Sequence, residues 1–137
     1  MAGAVPTVSG GLSAVADGLA LATGEVPRRT GFEHGMPGAE GLLDGTWRPD
    51  PFRDDQGLVV NLRDRGLVVI AGCAHAGVIN TAAYAKELTG TERAHAVLGG
   101  FRLTGPAYGD VVPPPSRECG RWTRSSSSPC TARAGTR

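Results

Sequence analysis

The side chains best placed for chemistry lie in Gly-Cys-Ala-His-Ala-Gly at positions 72–77. An imidazole can ligate a metal or move a proton near neutral pH, and the small neighbours Ala74, Ala76 and Gly77 leave His75 open to a metal or a substrate. Further candidates are scattered: Arg28, Arg29, Glu33 and His34 in one Pro- and Gly-rich stretch, the carboxylate pair Asp54-Asp55, and Arg102. Guanidinium groups suit phosphate, and paired carboxylates suit a divalent cation. The plainer readings are a histidine that hydrogen-bonds its own loop, charges on solvated surface, and an Asp pair that punctuates a strand.

The elements that position these residues follow from the apolar pattern. Residues 67–71 read as a strand buried on both faces, stopped by Gly72, and residues 78–88 as a helix. Val78, Ile79, Ala82, Ala83 and Leu88 form its apolar stripe, and Gly90 is placed to cap its C-terminus. Cys73 and His75 therefore sit in a strand-to-helix loop, where α/β folds place ligands and where free helix N–H groups near Asn80 favour anions. A second short strand, 94–98, ends at Gly99-Gly100, so Phe101 and Arg102 again lie just past a strand end. Two such loops can face one site.

Earlier in the chain, apolar stretches 12–16 and 19–23 flank Asp17-Gly18, a type I′ hairpin signal. Residues 24–56 hold Pro27, Pro37, Pro49 and Pro51 and read as a long surface loop anchored by Phe32, Trp47 and Phe52. Loops of that length usually cover or line a site. Runs 57–62 and 67–71, joined by Arg63-Asp64-Arg65-Gly66, form a second antiparallel hairpin in the interior of a sheet. Residues 1–11 are expected to fray.

The 137 residues suit one domain, but 21 glycines and 10 prolines, with apolar runs concentrated between Gly57 and Leu103, imply loop-rich ends. A net charge of +1 gives no global drive toward nucleic acid, membrane or acidic partners. Three unpaired-looking cysteines, Cys73, Cys119 and Cys130, argue against a secreted disulfide framework, and no apolar run approaches the ~20 residues of a membrane span. A cytoplasmic location is expected.

Four segments together resemble a known family: Thr-Gly-Glu-Val-Pro-Arg at 23–28, Pro-Asp-Pro-Phe-Arg-Asp-Asp-Gln at 49–56, Gly-Cys-Ala-His-Ala-Gly-Val-Ile-Asn-Thr at 72–81, and Ala-Val-Leu-Gly-Gly-Phe-Arg-Leu at 96–103. In this order they are similar to the metallo-β-lactamase-fold hydrolases, in the branch related to the dihydropterin ribofuranosylaminobenzene phosphate synthases. The resemblance covers residues 12–115 and implies an α/β (α+β) fold: part of an αββα sandwich, with hairpins and one central helix. It also implies a dinuclear, usually zinc, site in the intact family, where bound water becomes a nucleophile and a phosphoryl or carbonyl oxygen is polarised. On this pattern His75 falls on a metal-ligand position, and Cys73 on a buried neighbour.

The departures from the family bear on activity. The signature His-x-His-x-Asp-His cluster is absent, His34 and His95 match no ligand position, and Arg102 replaces a functional histidine. A guanidinium offers a metal no lone pair. Residues 116–137 read as a disordered Arg/Ser-rich tail, in which Ser125-Ser126-Ser127-Ser128 and Thr131-Ala132-Arg133-Ala134 match a one-nucleotide shift of the family's valine-rich strand and Pro-x-His-Cys-Thr-Gly. The expectation is the C-terminal half of a metal-dependent hydrolase or transferase acting on a phosphorylated, pterin-like small molecule. Alone it is inactive, with exposed apolar faces that favour self-association or a complementing N-terminal half. The alternative is a non-catalytic phosphate-binding module using Arg28, Arg29, Arg102 and the helix N-terminus at Asn80. Membrane and nucleic-acid partners are not expected.

Overall fold

The computed structural model describes residues 9–101. Among them lie β1 (Ser13–Val15), β2 (Ala20–Ala22), β3 (Glu40–Leu43), β4 (Thr46–Pro49), β5 (Gly57–Leu62), β6 (Gly66–Ala71), α1 (Val78–Thr89) and β7 (Ala94–Gly99). Five strands form one sheet in the order β1-β2-β5-β6-β7, antiparallel except for the β6–β7 pair, which α1 connects as a parallel crossover. The carboxyl ends of β6 and β7 thus lie side by side, and Gly100 N–H donates to Gly72 C=O at 2.8 Å.

Alternation along the strands decides where the core sits. Leu67 and Val69 of β6 and Val59 of β5 are fully buried against Ala85 of α1, with Leu21 and Val97 packed around them. Fully burying a Val or Leu side chain contributes about 1.5–3 kcal/mol. Ala82 and Ala85 are small enough to bring the helix close to the sheet. The helix ends one residue later than the periodicity predicts, at a left-handed Gly90.

The opposite sheet face differs from expectation. Leu58, Ile70 and Leu98 are aligned in register across three strands, yet Ile70 is 39% and Leu98 52% exposed. Strand β6 is therefore covered on one face, because α1 packs on that side and no second sheet covers the other among the described residues. The described architecture is one helix on one sheet plus a separate two-stranded sheet, a mixed α+β arrangement that corresponds to part of an αββα sandwich. No helix of the described residues is long and apolar enough to cross a membrane.

The stretch 24–56 is not structureless. β3 and β4 pair across a two-residue turn, Asp44-Gly45, with φ of 51° and 77°. Positive φ at both positions is what a type I′ hairpin requires. Conversely, the β1–β2 connection takes four residues, since Val15 pairs with Ala20, and Ala16, Asp17 and Gly18 all adopt positive φ. Within the segment expected to fray, residues 9–11 are tied down: Ser9 C=O accepts from Gln56 Nε2 and Gly10 C=O from Glu25 N–H. The tail 116–137, Cys119 and Cys130 lie outside the described residues.

Candidate functional site at the β6–α1 junction

The loop between β6 and α1 turns sharply at Ala74, whose φ is 52°, and closes with Gly77 N–H donating to Ala74 C=O. His75 follows, half-buried, with its ring stacked on Phe52 at a centroid separation of 4.4 Å and an interplanar angle of 21°. Phe52 is itself left-handed at φ 49°, a conformation that costs an ordinary residue roughly 1–2 kcal/mol. Two hydrogen bonds hold it there: Asp50 Oδ1 accepts from Phe52 N–H at 2.8 Å, and Phe52 C=O from Asp55 N–H at 3.2 Å. Asp55 then reaches the same loop, its Oδ2 accepting from Ala76 N–H at 2.7 Å. Residues 50–55 therefore grip positions 75 and 76 through a ring and a backbone amide.

Arg28 completes this cluster. Its guanidinium carbon lies 5.9 Å from the Phe52 ring centroid, and a Cβ at residue 35 would fall 2.6 Å from its Nη1, so Gly35 leaves room for the guanidinium. Among the described residues Arg28 forms no ion pair. An exposed guanidinium with no carboxylate paired to it among the described residues is suited to an anionic group.

A second cluster fixes the helix beneath. The helix N-cap position is Gly77, which has no side chain to cap the first turn. Glu33 does this from elsewhere in the chain: Oε1 accepts from Ile79 N–H and Oε2 from Asn80 N–H, both at 2.9 Å, and Thr30 Oγ1 also donates to Oε2. A carboxylate is favoured there by the helix dipole. Asn80 returns the connection, with Oδ1 accepting from Arg29 and Thr30 N–H while Nδ2 donates to Thr30 Oγ1 and Ala76 C=O. Thr23 and Gly57 exchange backbone and hydroxyl hydrogen bonds, and a Cβ at Gly57 would meet Thr81 Cγ2 at 2.9 Å. The buried polar residues Thr23, Glu33, Asn80 and Thr81 all belong to this joint.

These contacts sort the residues singled out from sequence. His75 and Arg28 meet around Phe52. Asn80 is buried with its four hydrogen-bonding positions engaged, and the helix N-terminus it marks is occupied by Glu33. Arg29 is exposed and paired with Glu87. That hydrogen bond and charge hold the Glu87 carboxyl below its usual range and raise the Arg29 guanidinium further. His34 is exposed, and Cys73, expected as a buried neighbour, is an exposed free thiol because it lies on the outer side of the turn past Gly72. His95 sits on β7 with its Nδ1 buried and unpartnered. Arg102 lies one residue beyond the described chain.

A catalytic metal ordinarily takes three protein ligands. Among the described residues no three His, Cys, Asp or Glu side chains come together in a way that would hold one. His75 offers a single donor, and Asp55, whose carboxylate reaches the same loop, is engaged with a backbone amide. The described residues do not by themselves fit a resident catalytic metal.

Sequence reasoning took Phe52 only as a loop anchor, weighed Asp55 only as half of a cation-binding pair against strand punctuation, and gave Glu33 the default of a surface charge. The missing cap was a usable signal: a helix opening on Ala-Gly with no Ser, Thr, Asp or Asn needs another acceptor for its first amides.

No family model matches the chain. An uncharacterized protein of Methanocaldococcus jannaschii, MJ0448, is 35% identical over 85 residues, which is 62% of this chain and 29% of that protein. The 7,8-dihydropterin-6-methyl-4-(beta-D-ribofuranosyl)-aminobenzene-5'-phosphate synthase of the same organism is 32% identical over 54 residues, 39% of this chain and 18% of the synthase. The crystal structure of Tm1679, a metal-dependent hydrolase of the beta-lactamase superfamily, superposes with a TM-score of 0.70 at 25% identity, over 85% of this chain and 43% of that one. The chain thus spans less than half the length of each. In fold it is similar to part of that beta-lactamase-superfamily hydrolase, and in sequence to part of the pterin synthase.

Proposed function

We propose that the chain forms part of a metal-dependent hydrolase or transferase of this superfamily acting on a phosphorylated, pterin-like small molecule in the cytoplasm. His75 supplies one ligand of a metal site, zinc being the expected ion and two the expected number. A complementing N-terminal half of the fold supplies the rest. Arg28 holds the substrate phosphate, and Arg102 is the second candidate for that role. Arg29 and Asn80 act on the loop's geometry rather than on substrate. The observation that carries this reading is the half-buried imidazole at the carboxyl ends of two adjacent parallel strands, with the Arg28 guanidinium, free of ion pairs among the described residues, against the same aromatic ring. The likeness to a metal-dependent hydrolase and to a phosphate-bearing pterin synthase supports the reaction class.

The test is equilibrium dialysis of the full chain against Zn2+, alone and as the His75→Ala variant. The reading expects weak binding that His75→Ala abolishes, and no hydrolysis of a phosphate ester by the chain alone. Zinc binding indifferent to His75 overturns it. The second reading, a non-catalytic phosphate-binding module, is favoured by Arg28 alone. It expects inorganic phosphate to bind without metal, with an affinity that falls as salt rises and is lost in Arg28→Ala.

A further inference from the structure

We infer that Phe52 is a positioning residue for His75: its ring sets the plane of the imidazole in the loop where β6 and β7 end. This rests on the reading of His75 as the working imidazole of the loop. The loop alone fixes the His75 backbone but not the ring, since the torsion about the Cβ–Cγ bond of histidine is broad and roughly two-fold. Contact with a flat neighbour removes that freedom. The 4.4 Å separation and 21° tilt are those of an offset aromatic stack.

The way Phe52 is held supports a role beyond filling space. An aromatic residue in the left-handed region is disfavoured, and two hydrogen bonds, one from Phe52 N–H to Asp50 Oδ1 and one from Asp55 N–H to Phe52 C=O, keep it there. Asp55, from the same turn, also fixes Ala76 N–H next to the histidine. One short segment thus clamps the loop at the backbone and orients its ring. The conformational cost is incurred on the Phe52 side, in a residue that buries little of itself in the helix–sheet core. Arg28 touches the same ring, so the imidazole and the guanidinium share one reference surface.

The experiment is nuclear magnetic resonance of the full chain with isotope-labelled histidine, which reports three imidazoles. His75→Ala assigns one of them, and His34 and His95 serve as internal controls. In the wild type the His75 ring protons are expected upfield, from the current of the Phe52 ring, with cross-relaxation between the two rings and a high order parameter for the ring C–H bonds. Phe52→Leu should remove the upfield shift and lower that order parameter while the His34 and His95 signals stay in place. Phe52→Tyr should restore both features. Absence of ring-to-ring cross-relaxation in the wild type overturns the inference whatever the variants do. So does a Phe52→Leu variant whose His75 ring order parameter is unchanged. Zinc dialysis judges the functional reading separately: wild-type binding that depends on His75, with unchanged ring order in Phe52→Leu, would sink the inference and leave that reading standing. The converse result would do the reverse.

Discussion

The carboxylate of Glu33 occupies the space that a side chain on residue 77 would need: a Cβ built on Gly77 would lie 2.2 Å from Glu33 Cδ. The remote cap and the bare N-cap position are therefore one device. Because Gly77 also sits at φ 109°, Gly77→Ala both strains the backbone and expels the cap. It is expected to destabilise the chain by at least about 2 kcal/mol, read by urea unfolding. Glu33→Gln keeps the shape but leaves one acceptor for two helix amides, at a cost of about 1–3 kcal/mol. The double variant should cost less than the sum, since both changes damage one contact.

Asn80 offers a cleaner separation of binding from architecture. Asn80→Ala strands the Arg29 and Thr30 amides and the Ala76 carbonyl in a part-buried joint, with an expected loss of about 2 kcal/mol in unfolding free energy. If Asn80 works only through this joint, phosphate affinity measured on the fraction still folded should match the wild type. A large loss of affinity with unchanged stability would return Asn80 to the binding surface.

The exposed Arg29–Glu87 pair gives a pH dependence of defined sign. The folded Glu87 carboxyl is held below its ordinary value, first by the hydrogen bond from Arg29. A lowered carboxylate pKa contributes stability that is complete above the unfolded value, about 4.3, and is lost as pH falls through the folded one. The difference in melting temperature between wild type and Glu87→Gln should therefore be small at pH 7 and vanish toward pH 3. It should also shrink in high salt, because both side chains are half-exposed. A difference that grows on acidification would contradict the pairing.

Local patterning carried much of the fold. The alternation and β-branching of 57–62 and 67–71 place the central hairpin, and the stripe from Val78 with Gly90 behind it places α1, because these signals depend on neighbours one to four residues apart. The β3–β4 hairpin carried a signal of the same kind, Leu-Leu-Asp-Gly-Thr-Trp. The density of proline around it obscured that, although Pro49 is tolerated at the last position of a strand with one open edge.

What the sequence by itself determined is the strand-to-helix loop, its histidine, and the family resemblance they carry, since all three are written in contiguous residues. Only the tertiary structure decided what surrounds His75. Phe52 lies 23 positions before it in the chain, and Glu33 46 positions before the amide of Ile79 that it caps. Nothing in the local pattern couples such positions. Their contacts exist because the sheet brings 57–71 beside α1 and the loops on either side of it must then satisfy buried amides with whatever acceptor the packing delivers.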